Sequence, residues 1–112
     1  MLQISTDEVY GDLQPDGIPF REDSRYLPNN PYSASKASAD MFCRAFFKTH
    51  NTPVMVINSS NNYGPYQHTE KFIPKVILKA ISDEPIPVYG NGTNIRDWVF
   101  VSDNCQALFE IS

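Results

Sequence analysis

Residues 30–60 read NPYSASKASADMFCRAFFKTHNTPVMVINSS, and this stretch decides the fold because a helix pattern leads directly into a strand pattern. Asn30-Pro31 is a favourable helix start, with Asn as the N-cap and Pro at the first helical position. Apolar residues then recur at three- and four-residue spacing, which predicts a helix to about Thr49 with one buried face. That face is predicted to hold Ala34, Ala37, Met41, Ala45 and Phe46.

The strand pattern is the near-continuous apolar run over residues 54–60, VMVINSS. Such a run is typical of a strand that is covered on both faces in a parallel sheet. Upstream, residues 2–5 end a strand, and an irregular stretch rich in Pro, Gly and Asp follows up to Asn30. Strand, helix and strand in this order predict α/β architecture with a largely parallel sheet.

The same alternation continues downstream. A second helix is predicted over residues 73–82, with Val76, Ile77, Ala80 and Ile81 on its buried side. Short strands are predicted over residues 86–89 and 98–101, separated by a turn at Gly90-Asn91-Gly92. A third helix is predicted after a Ser102-Asp103 cap and stops near its second turn. Because the first strand has nothing before it and the last helix is short, we expect the chain to be a fragment.

Composition excludes several classes of protein. The chain has 112 residues, 41% apolar and 20% charged, which describes an ordinary globular domain. Its net charge of −4 and scattered Lys and Arg argue against nucleic-acid binding. No apolar run is long enough for a membrane span, and the N-terminus lacks a signal-peptide pattern. Cys43 and Cys105 are expected to be buried free thiols, which favours the cytoplasm. His50 and His68 have no partners at metal-ligand spacing, so no metal site is expected.

The first candidate for chemistry is the triplet Thr6-Asp7-Glu8, which follows the first strand. Ligands bind at the carboxyl ends of strands in open α/β sheets, so a hydroxyl and two carboxyls there are well placed for catalysis. Adjacent carboxyls in different surroundings can divide acid and base roles between them. The alternative reading is a solvated turn, because Asp and Gly are common in loops.

The second candidate is the pair Tyr32 and Lys36 near the start of the long helix. Residues four apart lie on one face, and an ammonium beside a phenol favours the phenolate form. A phenolate can take a proton from a sugar hydroxyl as hydride leaves the same carbon. The spacing alone is weak, but it gains weight because the helix follows a carboxylate-bearing strand end.

Six segments together resemble the extended short-chain dehydrogenase/reductase superfamily, and within it the dTDP-glucose 4,6-dehydratases. They span most of the chain and are STDEVYGD (5–12), PYSASK (31–36), SSNNYGPYQ (59–67), EKFIP (70–74), PVYGNG (87–92) and IRDWVFVSD (95–103). The resemblance implies part of a Rossmann-like, doubly wound parallel sheet that lacks its N-terminal βαβ units. It also implies NAD as the cofactor and a nucleotide sugar, most simply dTDP-glucose, as the substrate.

The resemblance also implies catalytic roles. Tyr32, assisted by Lys36, would take the C4 hydroxyl proton while NAD accepts the C4 hydride. Glu8 would then take the C5 proton and Asp7 would protonate the departing C6 hydroxyl. Thr6 would hydrogen-bond the sugar. The product would be a 4-keto-6-deoxy sugar.

Binding residues are implied in the same way. The cofactor-binding set is Ser5, Tyr32, Lys36 and Asn62. The substrate-binding set is Thr6, Asn61, Lys71, Phe72, Pro87, Val88, Tyr89 and Arg96, with Tyr89 on the base and Arg96 on the diphosphate. Thr69 and Phe72 stand where the family often has Pro and Leu, a modest departure near the diphosphate.

The implied organisation has two parts. Residues 1–64 would be the C-terminal half of the NAD-binding domain, and residues 65–112 part of the nucleotide-sugar-binding region. A homodimer is implied through the outer face of the long helix. Another nucleotide-sugar dehydratase, a UDP-sugar decarboxylase and a non-catalytic remnant remain alternatives. The chain alone is expected to be inactive, because the glycine-rich phosphate loop is absent from it.

Overall fold

The computed structural model describes residues 1–13 and 17–112. It contains four strands and three α-helices: β1 (Leu2–Thr6), α1 (Pro31–His50), β2 (Met55–Ser59), β3 (Asn61–Tyr63), α2 (Phe72–Ile81), β4 (Trp98–Phe100) and α3 (Val101–Ile111). A short 3₁₀ turn, Asp7–Tyr10, directly follows β1. The chain divides into a first unit, residues 1–60 with Ser112, and a second unit, residues 61–111.

The first unit is a β-α-β arrangement in which β1 and β2 pair in parallel, from Leu2 opposite Met55 to Thr6 opposite Ser59. The predicted helix between them is confirmed, and its start has the expected chemistry. The Asn30 side chain accepts from the Ser33 backbone N–H, the Ser33 hydroxyl accepts from the Asn30 N–H, and Pro31 occupies the first turn. This reciprocal capping box satisfies donors that a helix N-terminus otherwise leaves open.

The predicted buried face of α1 is wrong at all but one position. The residues that α1 buries are Ser33, Ala37, Asp40 and Cys43. Met41 and Phe46, assigned to the core from their hydrophobicity, are 60% and 53% exposed. Small and polar side chains face inward because Asp40 accepts hydrogen bonds from Gln3 and Ser5 of β1. A prediction based on hydrophobic periodicity cannot identify a buried carboxylate of this kind.

The core of the first unit lies under the 3₁₀ turn. Val9 is fully buried and Tyr10 is 8% exposed, and both pack with Ala37 and Tyr26. The stretch expected to be irregular therefore begins with an ordered turn, whereas residues 14–16 lie outside the described residues. Gly11 ends the turn at φ 88°, and a Cβ there would come within 2.5 Å of the Leu27 carbonyl oxygen. Only glycine fits this close approach without strain.

The second unit pairs β3 and β4 in parallel, from Asn61 opposite Trp98 to Tyr63 opposite Phe100. Helix α2 and strand β4 confirm the predictions for residues 73–82 and 98–101. The turn near Gly90 is also confirmed, since the Gly92 N–H donates to the Tyr89 carbonyl at 3.3 Å.

Three predictions for the second unit are wrong. Residues 86–89 are not a strand, because they have no ladder partner among the residues that the structure describes. Helix α2 buries no residue, and Ile77 and Ile81 are 52% and 79% exposed. Helix α3 begins at Val101, so Ser102 and Asp103 lie within its first turn rather than capping it.

The cysteines and the hydrophobicity of the helices were also predicted from the sequence. Both cysteines are free; Cys43 is buried, but Cys105 is exposed, contrary to the prediction for that residue. Among the described residues, none of the helices combines the length and hydrophobicity needed to cross a bilayer.

Candidate active site

The triplet Thr6-Asp7-Glu8 lies where β1 passes into the 3₁₀ turn. The buried Thr6 caps that turn: its hydroxyl accepts from the Glu8 N–H at 3.3 Å and donates to the Asp7 Oδ1 at 3.3 Å. An N-cap hydroxyl is favoured at such a start because it satisfies an otherwise open donor. The triplet thus lies at the carboxyl end of a parallel strand, which is the edge at which the sequence predicts a site.

The surroundings of the two carboxyls differ. Asp7 is half-buried, whereas Glu8 is exposed. Burial raises the pKa of the Asp7 carboxyl above its ordinary value, the hydrogen bond from Thr6 opposes that shift, and the nearby Glu8 charge adds to it. Burial disfavours the charged form, so the surroundings of Asp7 favour its protonated form more than full solvation would.

Glu8 is tied to the start of α1 by a residue that sequence reasoning assigned only to capping. The Asn30 side-chain amide donates to the Glu8 Oε2 at 3.1 Å while its oxygen accepts from the Ser33 N–H at 2.8 Å. The N-cap preference of Asn could not have revealed this contact, because Asn30 and Glu8 are 22 positions apart in the sequence. The structure therefore brings the carboxylate triplet against the helix that carries Tyr32 and Lys36.

Lys36 connects that helix back to β1. Its Nζ donates to the backbone carbonyl of Ile4 at 2.9 Å, and its side chain is half-buried. Tyr32, one turn earlier on α1, is 53% exposed, so its phenol is accessible to a ligand. Tyr32 and Lys36 therefore lie on the helix that contacts β1, as proton transfer from a sugar hydroxyl would require. The catalytic roles of Tyr32 and Lys36 stay predictions.

Asp40 of α1 joins β1 to the loop before α1 through hydrogen bonds, and sequence reasoning missed this residue. This carboxylate is 5% exposed and accepts from the Ser5 hydroxyl at 2.5 Å, the Tyr26 hydroxyl at 3.2 Å and the Gln3 amide at 3.4 Å. Ser5 is thus held against α1, and its cofactor role stays a prediction. Burial raises the pKa of Tyr26, the Asn58 amide opposes this shift, and Asp40 reinforces it.

A cavity of about 400 Å³ opens beside Asp40. Its lining residues come from the 3₁₀ turn, the following loop, α1 and β2: Tyr10, Glu22, Tyr26, Asp40, Met41, Arg44, Val56 and Asn58. Asn58 lies in β2 and donates to the Thr6 carbonyl at 3.3 Å, which joins the cavity wall to the backbone of the triplet. No group of three or more His, Cys, Asp or Glu side chains is arranged to hold a metal ion in the part of the chain that the structure describes.

The predicted ligand residues Asn61 and Asn62 lie on β3 in the second unit. The backbone carbonyl of Asn62 accepts from the Gln67 side-chain amide at 2.9 Å. Lys71 precedes α2 at its N-cap position, and Phe72 begins the helix. The Phe72 ring is 56% exposed and stacks on Trp98, with the ring centroids 6.3 Å apart.

The remaining predicted substrate residues lie in the exposed segment between α2 and β4. Val88 and Tyr89 are 70% and 63% exposed, and Pro87 is partly exposed. The Arg96 Nη1 donates to the adjacent Ile95 carbonyl at 2.8 Å, and its side chain is exposed. An exposed guanidinium and an exposed phenol ring have the chemistry to bind a diphosphate and a base, respectively.

In the first unit, α1 connects two parallel strands. Carboxyls lie at the end of the first strand, and a Tyr-Lys pair lies on the connecting helix. This arrangement defines a Rossmann-type α/β protein of the dehydrogenase/reductase kind. The chain belongs to the GDP-mannose 4,6-dehydratase family, whose model matches residues 1–112. The parallel strand pairs and the helices of the structure confirm the predicted α/β fold class.

Individual relatives of the chain are dTDP-glucose 4,6-dehydratases. A dTDP-glucose 4,6-dehydratase from Xanthomonas campestris pv. campestris is 57% identical over 107 residues, which are 96% of this chain and 30% of the relative. The crystal structure of a dTDP-glucose 4,6-dehydratase from Bacillus anthracis in complex with NAD superposes with a TM-score of 0.94 at 50% identity, over 98% of this chain and 35% of that one. The predicted resemblance to dTDP-glucose 4,6-dehydratases is therefore confirmed.

The fold is shared with enzymes of different chemistry. A UDP-glucuronic acid 4-epimerase from Bacillus cereus, solved with UDP-glucuronic acid and NAD, superposes with a TM-score of 0.89 at 27% identity, over 96% of this chain and 33% of that one. The chain spans about a third of the length of the relatives it matches. The fold alone therefore does not determine the activity of a whole protein that contains this chain.

Proposed function

We propose that these residues form the catalytic segment of an NAD-dependent nucleotide-sugar 4,6-dehydratase that converts dTDP-glucose to dTDP-4-keto-6-deoxyglucose. The observation that carries the proposal is the division of surroundings between Asp7 and Glu8. One carboxyl is half-buried with a raised pKa, as a general acid requires, and its neighbour is exposed and held in position by an amide. Elimination of water across two carbons needs such an acid and such a base together.

The residues of this chain divide the proton transfers. Tyr32, with Lys36 beside it, takes the proton from the C4 hydroxyl. Glu8 takes the proton from C5, which the neighbouring 4-ketone has made acidic. Asp7 gives its proton to the C6 hydroxyl, which leaves as water, and Thr6 hydrogen-bonds the sugar near C4. NAD, when bound, supplies the redox chemistry by holding the C4 hydride and returning it to C6.

The residues present fit the nicotinamide end of NAD. Tyr32 is exposed on the first turn of α1, and the Lys36 ammonium already donates to a carbonyl oxygen at this sheet edge, as it would to ribose hydroxyls. We also assign Ser5 and Asn62 to cofactor binding. Among the described residues, no glycine-rich loop opens a helix, and such a loop is what ordinarily binds the pyrophosphate.

We assign substrate binding to Asn61, Lys71 and Phe72 and to the exposed segment with Pro87, Val88, Tyr89 and Arg96. The supporting features are the exposed Phe72 and Tyr89 rings and the exposed Arg96 guanidinium. Lys71 is also exposed, and its side chain makes no capping hydrogen bond to α2. On this assignment, residues 1–64 serve the cofactor and the chemistry, and residues 65–112 serve the nucleotide. Arg96→Ala should raise KM for dTDP-glucose about tenfold and leave kcat unchanged, as expected on loss of a diphosphate contact that is equally strong in the ground state and the transition state.

The decisive experiment compares two variants in the full-length enzyme, meaning a dehydratase of the relatives' length that contains residues 1–112. Tyr32→Phe should suppress NADH formation about 10²- to 10⁴-fold, because the C4 proton has no acceptor. Glu8→Gln should allow C4 oxidation and block elimination, so NADH should accumulate on the enzyme. Single-turnover absorbance at the NADH band separates the two results.

Matched controls use exposed residues outside the site. Tyr66→Phe and Glu110→Gln make the same chemical changes at exposed positions and should leave turnover unchanged. Equal NADH formation in Tyr32→Phe and Glu8→Gln would overturn the division of roles. A decarboxylase or an epimerase would instead act without releasing water from C6, and analysis of the sugar product distinguishes these alternatives.

We further propose a homodimer through the outer face of α1. Its support is the apolar surface that α1 exposes: Phe42, Phe46 and Phe47 are between 45% and 67% exposed. Such a contiguous apolar face on a helix is typical of a protein interface. Sedimentation of the full-length enzyme should give a dimer at micromolar concentration, and Phe42→Glu should give a monomer. A monomeric parent would contradict the proposal.

A cytoplasmic location is proposed from the two free thiols, since reducing compartments keep cysteines unpaired. Cell fractionation followed by detection of the full-length protein tests it. Recovery mainly in a secreted or membrane fraction would contradict it.

A further inference from the structure

We propose that Asn30 is a positioning residue that holds the Glu8 carboxylate in place for proton abstraction, an inference that rests on the proposed dehydratase function. Helix N-caps ordinarily serve only the helix. Asn30 does more, because its two side-chain atoms face two different elements. Its oxygen accepts from the Ser33 N–H at 2.8 Å, and its nitrogen donates to the Glu8 Oε2 at 3.1 Å.

The Asn30 amide is itself held in a defined orientation. Its backbone N–H donates to the Ser33 hydroxyl at 3.2 Å, and Ser33 is fully buried, so the capping box fixes the residue at the start of α1. With the oxygen engaged by the Ser33 N–H, the amide nitrogen is directed to the other side, where it meets Glu8. The Glu8 side chain is otherwise exposed, and a hydrogen bond to an ionised oxygen is among the stronger ones.

Other good N-cap residues could not perform both tasks. Asp caps a helix as well as Asn, but it has no donor for Glu8 and would place a second carboxylate about 3 Å from it. Ser also caps well, but its hydroxyl is shorter and would already be engaged by the Ser33 N–H. Substitutions at position 30 can therefore keep the helix cap and remove only the contact to Glu8. This separation makes the inference testable without unfolding α1.

The test uses Asn30→Ser and Asn30→Asp in the full-length enzyme. Asn30→Ser should lower kcat about tenfold and change KM for dTDP-glucose less than twofold, because binding is intact while C5 proton abstraction is slowed. Asn30→Asp should lower kcat further. Both should accumulate NADH during turnover, since elimination has become slow relative to C4 oxidation, and both should keep the thermal midpoint of the parent enzyme.

The neighbouring Asn29 provides a matched control. Its amide donates to the Asp12 Oδ2 at 2.7 Å, a similar bond one residue away and outside the site. Asn29→Ser should leave kcat and the NADH signal unchanged. In a Glu8→Gln background, Asn30→Ser should have no additional effect, because Asn30 acts through Glu8. An unchanged kcat in Asn30→Ser, or an equal loss with and without Glu8, would overturn the inference.

One readout needs no turnover. In a crystal structure of Asn30→Ser, the Glu8 carboxylate should leave the start of α1 while α1 still begins at Pro31. A Glu8 carboxylate that keeps its parental position would refute the positioning role even if the enzyme proved not to act on dTDP-glucose. Conversely, an inactive parent with a displaced Glu8 would refute the proposed function and leave the contact to Asn30 established.

Discussion

The two units differ in how their polar residues are used. In the first unit, four polar side chains, Ser5, Thr6, Ser33 and Asp40, are buried beside a small apolar core. In the second unit, residues 61–111, all of which the structure describes, no residue is buried. Ser5 and Asp40 bond to each other across β1 and α1, Thr6 bonds within the turn that follows β1, and Ser33 bonds within the start of α1. Of the predicted catalytic residues of the first unit, Thr6, Asp7, Glu8 and Lys36 make hydrogen bonds within the unit. Of the predicted substrate residues of the second unit, Phe72, Val88, Tyr89 and Arg96 are exposed.

This difference indicates where precision is needed. Proton transfer requires donors and acceptors within hydrogen-bond reach, so the groups that perform it benefit from buried, interlocked support. Four predictions below test this contrast, from the largest expected effect to the smallest.

Residues 1–112 expressed alone should neither dehydrate dTDP-glucose nor bind NAD more tightly than about millimolar. Pyrophosphate binding in this fold uses backbone N–H groups at a helix N-terminus after a glycine-rich turn, and this chain has no such segment. The exposed apolar face of α2 should also make the chain aggregate. Calorimetry of the purified chain with NAD measures the affinity. A micromolar dissociation constant would show that the first unit is a sufficient cofactor site.

Removing the Asp40 carboxylate should strongly destabilise the full-length enzyme. Asp40→Ala leaves the buried Ser5 hydroxyl and the half-buried Tyr26 hydroxyl without their acceptor, which costs about 2–3 kcal/mol. The matched change in the second unit is Glu84→Ala, which removes an exposed ion pair to Lys79 and should not measurably alter stability. Denaturant unfolding of both variants makes the comparison. Equal losses would contradict the contrast between the units.

Glycines in the two units should respond differently to a Cβ. Gly11→Ala must resolve a 2.5 Å approach to the Leu27 carbonyl and should destabilise by about 2 kcal/mol or more. Gly90 has φ 62° but no atom within 4 Å of a Cβ, so Gly90→Ala should lose only about 1 kcal/mol from backbone strain. The two losses in free energy of unfolding, compared with each other, give the cost of the close contact between a Cβ at position 11 and the Leu27 carbonyl oxygen. A larger loss at Gly90 would indicate packing there that the structure does not show.

The Asp7 charge should have the smallest effect on stability. Because burial raises the pKa of Asp7 in the folded protein, its ionised form disfavours folding once the pH exceeds that folded pKa. Asp7→Asn should therefore raise the free energy of unfolding at pH 7, by less than about 1 kcal/mol because the half-exposed carboxyl is screened by solvent.

The gain from Asp7→Asn should disappear at a pH below the ordinary Asp range, where Asp7 is protonated in both folded and unfolded states. The same variant should lose dehydratase activity, because the C6 hydroxyl has no proton donor. Thermal unfolding at several pH values checks the first expectation. A gain that grows as the pH falls would contradict the raised pKa.

Sequence patterns were sufficient for the elements with strong local signals. Asn30-Pro31 set the start of α1 through capping chemistry that acts within four residues, and the β-branched run before Ser60 specified β2. The placement of Thr6-Asp7-Glu8 after β1 followed from the same kind of local pattern. The motifs also indicated the family, whose model matches residues 1–112.

Only the tertiary structure decided which side chains meet. The buried face of α1 was predicted from hydrophobicity and failed at Met41 and Phe46, since a buried Asp40 with partners on β1 and in the loop replaces apolar contacts. The contact between Asn30 and Glu8 joins residues 22 positions apart. Capping and strand propensity act over a few neighbouring residues, so they determine the elements. Hydrogen bonds between distant residues depend on how β1 and α1 pack, which no local pattern records.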